Sequence, residues 1–326
     1  MRYGVTLQGR DDPRTFAETA AWIESLGYDN LWITDSSVHA GDVYVYTTLA
    51  LRATSRLVVG TAVTNPLTRH PAVTANAFRS LHQLAPARVV CGIGVGDRPL
   101  HALGLPSAKL ATLAEAIEAM RRLWRGETVT ARVGPHRLES AHLASAVGEI
   151  PVYVSASGPR ALELAGHLGD GAIVLAGVFP EALTFARDRI EAGRARSERP
   201  SFETVIFLYG AIAEDEEAAL EAGRSIAAWF PKTAPAYARL AGMSDALIER
   251  VVAAYGGGEF QEAADAARLI PDDLVRKLAF VGTPDQAASR LDWLRSEGVD
   301  AVSVFPLGPE RRKTVAAFAE VAFATA

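Results

Sequence analysis

The sequence predicts an α/β protein, most specifically a (β/α)8 TIM-type barrel. Short apolar runs, rich in β-branched residues, alternate with amphipathic helical segments along nearly the whole chain. Eight such strand runs occur, and most lack polar alternation, as expected for parallel strands covered by helices. A doubly wound sheet is the alternative. It is disfavoured because the first strand-to-helix turn, Gln8–Asp11, lacks the Gly-rich dinucleotide fingerprint.

The first half of the chain supplies four strand–helix units. The predicted strands are Arg2–Leu7, Leu31–Thr34, Leu57–Val63 and Val89–Ile93, and the helices are Pro13–Ser25, Val43–Ala53, Pro71–Leu84 and Ala108–Trp124. Asp11 or Asp12 caps the first helix, with Pro13 in its first turn. Residues 57–97 form a β-α-β unit whose strands end in Gly- and Thr-rich turns. We expect the active site there, because strand ends carry the chemistry of α/β folds.

The second half resumes the alternation after a small insertion at about residues 126–148, which is predicted to form a hairpin. The remaining strands are Pro151–Ser155, Ala172–Leu175, Thr204–Ala213 and Ala301–Phe305. Residues 214–277 are Ala-rich and helical, with interruptions at Pro231, Pro235 and the glycines 256–258. We interpret them as a helical insertion before the last strand of a single domain, residues 1–326. Thr283 and Gln286 predict a capping box on the helix that follows.

Composition excludes several classes of protein. The chain has 326 residues and a net charge of 33 − 38 = −5, so it carries no basic excess for nucleic acid or an anionic membrane. No apolar run approaches the ~18 residues of a membrane span, and no signal sequence is predicted. We therefore expect a cytoplasmic protein. The single cysteine, Cys91, excludes an intramolecular disulfide and a Cys-based zinc cluster, and its apolar strand predicts burial.

The predicted strand ends are rich in small and hydroxyl residues and poor in paired ionisable groups. No strand carries a His-x-His pair, so metal-dependent hydrolysis is not predicted. Asp35 and Asp97 are the carboxylates available for glycoside hydrolysis, but only Trp32 offers a sugar platform on their strands. Small residues instead indicate that the backbone closely approaches a large planar cofactor.

One strand end has the pattern of an anion site. Ser155–Arg160 ends a strand, continues with small residues and opens a helix with Pro159 in its first turn. Free helix N–H groups and two hydroxyls suit a phosphate. An ordinary capped turn is the alternative. The pair Gly94 and Gly96 alone indicates no more than a tight turn.

Five segments together resemble a known family. They are Trp32–Asp35, Gly60–Pro71, Gly92–Asp97, Ser157–Pro159 and Pro306–Pro309. On these motifs the chain resembles the luciferase-like flavin and deazaflavin oxidoreductases, above all the coenzyme F420-dependent methylenetetrahydromethanopterin reductases. The resemblance implies a luciferase-like barrel, F420 as cofactor, a ring bound against the third strand and a homodimer. It also implies a bulge there with a non-prolyl cis peptide bond at Ala62–Val63.

The resemblance also assigns roles to residues. The cofactor-binding residues it implies are Asp35, Ala62, Val63, Thr64, Asn65, Gly94, Gly96, Asp97, Ser157, Gly158 and Pro159, with the last three at the phosphate. Two departures concern the substrate. Related sequences commonly have Asp-His after the second strand, where this chain has Asp35-Ser36 with His39 further on. They also have an acidic residue in the first strand, where this chain has Thr6. The cofactor and reaction type therefore transfer, and the substrate does not.

The expected reaction moves a hydride between reduced F420 and a C=N or activated C=C bond of a small molecule, including natural products. Hydride addition leaves negative charge that must be protonated. The candidate donors are His39, Asp35 and Asp97, and Thr6, Gln8 and Ser36 are expected to contact substrate. Two alternatives stay open: an FMN-dependent monooxygenase of the same superfamily, and a barrel that binds a flavin or deazaflavin without catalysis.

Overall fold

The computed structural model describes residues 1–255 and 263–324. Its strands are β1 Arg2–Gln8, β2 Asn30–Thr34, β3 Val58–Thr61, β4 Val89–Ile93, β5 Val129–Val133, β6 His136–Ala141, β7 Val152–Ala156, β8 Gly171–Val174, β9 Glu203–Ile212, β10 Phe280–Gly282 and β11 Ala301–Pro306. Its helices are α1 Pro13–Ser25, α2 Val43–Ala53, α3 Pro71–Leu84, α4 Arg98–Ala102, α5 Leu110–Trp124, α6 Pro159–Leu168, α7 Pro180–Arg194, α8 Glu216–Thr233, α9 Pro235–Leu240, α10 Asp245–Ala254, α11 Ala264–Ala267, α12 Asp272–Leu278, α13 Pro284–Ser296 and α14 Arg311–Phe323.

Eight parallel strands close into a barrel in the order β1-β2-β3-β4-β7-β8-β9-β11, and β11 pairs with β1. The pairing of β8 with β9 completes the ring. These eight are the predicted strands, so the barrel prediction is confirmed. In this ring β9 lies four strands from β3 in either direction, and the two strands therefore face each other across the barrel.

Three local features differ from the sequence prediction. Strand β10 was not predicted, because three residues are too few to show a periodicity; it pairs only with the end of β9. The short helix α4 was also missed. Pro231 does not interrupt the insertion. It lies near the C-terminal end of α8, where its missing N–H costs one backbone hydrogen bond and the helix ends shortly afterwards. The glycines 256–258 lie outside the described residues.

Several local predictions are confirmed. Asp12 caps α1 by accepting a hydrogen bond from the Arg14 backbone N–H at 2.9 Å. Thr283 and Gln286 form the reciprocal capping box at the start of α13. The hairpin β5–β6 occupies the predicted insertion, and Cys91 is fully buried. None of the helices in the described ranges is long and apolar enough to cross a membrane. The single-domain boundaries stay a prediction.

The apolar side chains form two groups. The larger packs the helices against the outside of the sheet. The smaller is contributed by six different barrel strands, and it includes Trp32, Tyr153 and Ile173. Because the two groups are separate, the smaller one fills the interior of the barrel. This smaller group is in contact with Ala62, Val63 and Phe207. It therefore forms the base of any site at the carboxyl ends of the strands.

Candidate active site

A cavity of about 550 Å³ opens at the carboxyl ends of the barrel strands. Both the strand-end turns and the helix α8 contribute to its walls. The predicted site residues that line it are Gln8, Asp35, Ser36, Ala62, Val63, Asn65, Gly94, Gly96, Asp97, Ser157 and Gly158. The structure thus brings together residues from five strand ends that are far apart in sequence. Because parallel barrel strands end on one side, this convergence follows from the fold.

The end of β3 departs from a regular strand as the sequence resemblance implied. The Ala62–Val63 peptide bond is cis, which confirms that expectation. The chain then rejoins the sheet, because the Thr64 N–H donates to the Gly92 carbonyl at 3.0 Å and the Gly94 N–H donates to the Thr64 carbonyl at 2.9 Å. Ala62 and Val63 are left facing the cavity. The departure from the strand therefore presents a small apolar surface to any ligand.

Gly94 allows three strand ends to meet beneath the cavity. A Cβ on Gly94 would lie 3.1 Å from Val63 Cγ2 and 3.2 Å from Ser155 Cβ. These distances are tighter than ordinary carbon contacts, so a side chain here would require Val63 and Ser155 to shift by a few tenths of an ångström. The glycine pair alone predicted no more than a tight turn. In the structure, Gly94 also permits a close approach of neighbouring segments.

Asp35, at the end of β2, is held by hydroxyl groups. Its Oδ2 accepts a hydrogen bond from Thr64 Oγ1 at 2.8 Å, and its Oδ1 accepts one from Ser37 Oγ at 3.2 Å. Thr64 Oγ1 lies 3.4 Å from the buried hydroxyl of Tyr44. Since Thr64 donates to the carboxylate, it accepts from Tyr44. A chain of three polar groups therefore leads from the core to a carboxyl at the cavity wall.

Burial dominates the electrostatic setting of Asp35. Burial raises the pKa of Asp35 above its ordinary value, and the hydrogen bonds from Thr64 and Ser37 oppose this shift without cancelling it. The Arg69 guanidinium also lowers this pKa, but it forms an ion pair with Asp42, whose charge acts in the opposite direction. Asp35 is therefore a candidate for proton transfer, next to the apolar residues that line the cavity.

Two buried polar atoms at the cavity have no hydrogen-bond partner within the described chain. They are the side-chain oxygen of Gln8 and the hydroxyl of Thr34. Leaving such a group unpaired is costly, and native proteins usually satisfy it with water or a ligand. These two groups therefore provide polar contacts for a ligand that carries hydrogen-bonding atoms along its edge.

The turn between β7 and α6 has the geometry of an anion site. Gly158 precedes α6, and no side chain caps the first turn of this helix. A Cβ on Gly158 would meet nothing within 4 Å, so the space in front of the helix is open. Ser157 and Ala161 line the cavity beside it. Free N–H groups of the first turn are therefore available to an anionic group.

Four predicted residues do not line the cavity. Thr6 is fully buried and shares a hydrogen bond of 2.7 Å with Ser303. Thr64 is buried behind Asp35, and Pro159 lies beyond Gly158 in the helix. His39 is exposed on the loop after β2. Neither Thr6 nor His39 lines the cavity, so contact of Thr6 with substrate and proton donation by His39 stay predictions that the structure does not support.

The sequence analysis missed an aromatic wall on the opposite side. This wall consists of Phe207 and Tyr209 on β9, Trp229 on α8, Phe305 on β11, and Tyr255 just after α10. The cations Arg98 and Lys232 line the cavity beside it. The alternation of Phe207 and Tyr209 along β9 was the available signal, since residues two apart share one face of a strand. The contributions of α8 and Tyr255 had no such signal.

Comparisons with known proteins agree with the architecture. The sequence model of the luciferase-like monooxygenase family matches residues 1–301. The 5,10-methylenetetrahydromethanopterin reductase of Methanolobus tindarius is 31% identical over 97% of this chain and 97% of that protein. The F420-dependent glucose-6-phosphate dehydrogenase of Nakamurella multipartita is 32% identical over 70% of this chain and 73% of that protein. The solved structure of the coenzyme F420-dependent tetrahydromethanopterin reductase of Methanopyrus kandleri has a TM-score of 0.85 at 24% identity, and it covers 98% of this chain and 97% of that one.

Proposed function

The chain belongs to the luciferase-like monooxygenase family, as its motifs predicted, and on that premise we propose that it is an F420-dependent oxidoreductase. One observation carries the proposal. The cavity is lined by the residues that follow β3, in a chain that matches F420-dependent relatives over more than two thirds of their length. The two relatives described above differ in the substrates that their names give. The cofactor is therefore what they support, and the substrate has to be argued from this chain.

The residues of the cavity fit a large planar cofactor with an anionic arm. Ala62 and Val63 would support one face of the ring, and Gly94 keeps that surface shallow. The unpaired oxygens of Gln8 and Thr34 would receive polar atoms of the cofactor or substrate. Ser157 and the start of α6 would hold the phosphate. When bound, F420 supplies or accepts a hydride at C5 of its deazaflavin ring.

Asp35 is the proposed proton donor. A hydride acceptor gains negative charge, and a positioned acid lowers the barrier by protonating it. Burial raises the pKa of this carboxyl, which makes it a better proton carrier than an exposed aspartate. After the transfer, the hydrogen bonds from Thr64 and Ser37 would stabilise the carboxylate. Asp97, which also lines the cavity, is the second candidate for this role.

The proposed substrate is a small molecule with a C=N or activated C=C bond. Ser36 and Gln8 lie beside Asp35 and would contact the reacting end. The aromatic wall would exclude water from the other side, which strengthens electrostatic interactions inside the site. The family description favours one alternative, an FMN-dependent monooxygenase. A homodimer and a cytoplasmic location stay predictions.

Competitive binding of the two cofactors tests the proposal. Titration of the protein with oxidised F420 and with FMN, followed by fluorescence quenching, should give F420 an affinity at least about tenfold higher. The variant Gly94→Val should lose this affinity, since its side chain would displace Val63 and Ser155. Tighter binding of FMN would overturn the proposal. Binding of F420 without turnover of any imine or enone would leave a non-catalytic binding protein.

A further inference from the structure

Four rings of the aromatic wall, Phe207, Tyr209, Trp229 and Phe305, form one continuous surface. The ring of Tyr209 lies 5.1 Å from Phe207, 5.2 Å from Phe305 and 5.9 Å from Trp229, measured between centroids. Phe207 and Tyr209 lie on β9, which faces β3 across the barrel because β9 and β3 are four strands apart in the closed ring. The wall therefore stands opposite the surface formed by Ala62 and Val63. The space between the apolar surface of Ala62 and Val63 and the aromatic wall suits two flat molecules packed against each other, one of which is the cofactor.

Two cations stand over the rings of this wall. The Arg98 guanidinium lies 5.2 Å from the Trp229 ring centroid, and the Lys232 ammonium lies 5.4 Å from that of Tyr255. Both residues line the cavity. A cation held over an aromatic face keeps its charge, so it can also attract an anion that enters the cavity.

Lys232 is the more informative of the two cations. Its ammonium forms no ion pair within residues 1–255 and 263–324, and the residue is exposed at the cavity. Asp35, another charged group that lines the cavity, is held by two hydroxyls. A purely structural explanation exists, since a lysine in the last turn of α8 interacts favourably with the helix dipole. That explanation accounts for neither its place at the cavity nor the ring beneath it.

We propose that the aromatic wall binds the substrate, and that this substrate is a planar, conjugated molecule carrying a carboxylate or phosphate. Lys232 would receive this anion, and the unsaturated end would extend toward Asp35. The inference rests on the proposed function and adds the class of its substrate. It distinguishes two anion positions, because the start of α6 is a separate place that would serve the cofactor.

Paired ligands test the inference without requiring turnover. A panel of planar aromatic compounds, each as the carboxylate and as its carboxamide, is titrated by calorimetry, with phenyl phosphate as the phosphate arm. The wild-type protein should prefer each anion over its amide by about tenfold. Lys232→Met should remove this preference and leave amide binding unchanged, and Lys232→Arg should restore most of it. Lys313→Met, on α14 and outside the cavity lining, is the control and should behave as wild type.

Several outcomes would overturn the inference. They are equal binding of acid and amide, failure of every anion to bind, and an unchanged preference in Lys232→Met. Weaker binding of F420 in Lys232→Met would assign this cation to the cofactor instead, and would also overturn the inference. A change confined to thermal stability would leave only the helix-dipole role. Failure of F420 to bind the wild-type protein would refute the proposed function separately, because the anion titrations use no cofactor.

Discussion

The two sides of the cavity are built in different ways. The β3 side consists of strand ends and turns, in which backbone geometry, a glycine and short hydroxyl side chains determine the shape. The β9 side consists of large rings supplied by two strands and by the helical insertion. Backbone features leave little freedom for change, whereas rings can be exchanged without altering the barrel. We infer that the β3 side is suited to a constant ligand, the cofactor, and the β9 side to a variable one, the substrate.

The strongest test of the β3 side is Asp35→Asn. The amide keeps the shape of the carboxyl and cannot supply its proton, so kcat for oxidation of reduced F420 should fall by about 100-fold or more. F420 affinity should change by less than about threefold. Anaerobic steady-state kinetics and a cofactor titration measure the two quantities. Asp12→Asn is the matched control, because Asn caps α1 as well as Asp does. Loss of cofactor binding instead of kcat would contradict the assignment.

The same variant tests the electrostatic argument by stability. Because burial raises the pKa of Asp35 above 3.8, the folded protein keeps a proton that the unfolded chain has lost. The free energy of unfolding should therefore decrease as the pH rises from the pKa of Asp35 in the unfolded chain through its higher pKa in the folded protein. Asp35→Asn has no carboxyl to titrate at this position, so it lacks this loss of stability. The free energy of unfolding of the variant should therefore increase relative to that of the wild type as the pH rises between the two pKa values. Urea unfolding from about pH 4 to about pH 8 checks this, and a constant difference would show that the pKa is not raised.

The anion site on the same side is tested by Gly158→Leu. The position has extended backbone and open space, so the fold should tolerate the larger side chain. F420 affinity should fall by about tenfold, because the side chain would occupy the space in front of α6. A deazaflavin fragment without the phosphate should bind both proteins equally. An equal loss for the fragment would mean that the variant disturbs the ring site instead.

The aromatic wall should respond in KM rather than in cofactor binding. Phe305→Leu removes a ring that lies 5.2 Å from Tyr209, and KM for planar substrates should rise about three- to tenfold. Affinity for F420 should stay within about twofold. Phe318→Leu is the control, since Phe318 is fully buried in the helix-facing core and should affect only stability. A large loss of F420 affinity in Phe305→Leu would show that the two sides do not divide the ligands.

The smallest effect is expected at His39. Its side chain is exposed and does not line the cavity, so His39→Ala should change kcat by less than about twofold. The variant is measured under the same conditions as Asp35→Asn. A loss of tenfold or more would return the proton-donor role to His39 and weaken the case for Asp35.

The contrast between the sides also explains what the sequence could predict. The β3 side comes largely from one contiguous segment, residues 57–97, so its motifs, its cis bond and its glycines were all recognisable. Asp35 was recognised as well, but its pKa is raised by burial and lowered in part by the hydrogen bond from Thr64, and both influences arise only in the fold. Thr6 and His39 were expected at the site, but they do not line the cavity, because position in sequence does not determine which way a side chain points.

The β9 side could not be assembled from the sequence. Its rings come from positions 207, 209, 229, 255 and 305, and no local pattern joins them. Trp229 and Lys232 lie on α8, a helix that was predicted without knowledge of the face it presents. Strand β10 and helix α4 were missed because each is too short to show a period. The hydrophobic periodicity of a sequence predicts local elements, but it does not predict contacts between distant segments.

Oxidation of reduced F420 tests the central claim most directly. Reduced cofactor is mixed anaerobically with the protein and a panel of imines and activated alkenes, including planar carboxylates, and growth of the visible absorption band of oxidised F420 is followed. We expect growth that depends on both protein and acceptor and that is lost in Asp35→Asn. No growth with any acceptor, together with oxygen uptake driven by reduced FMN, would contradict the claim and identify a monooxygenase.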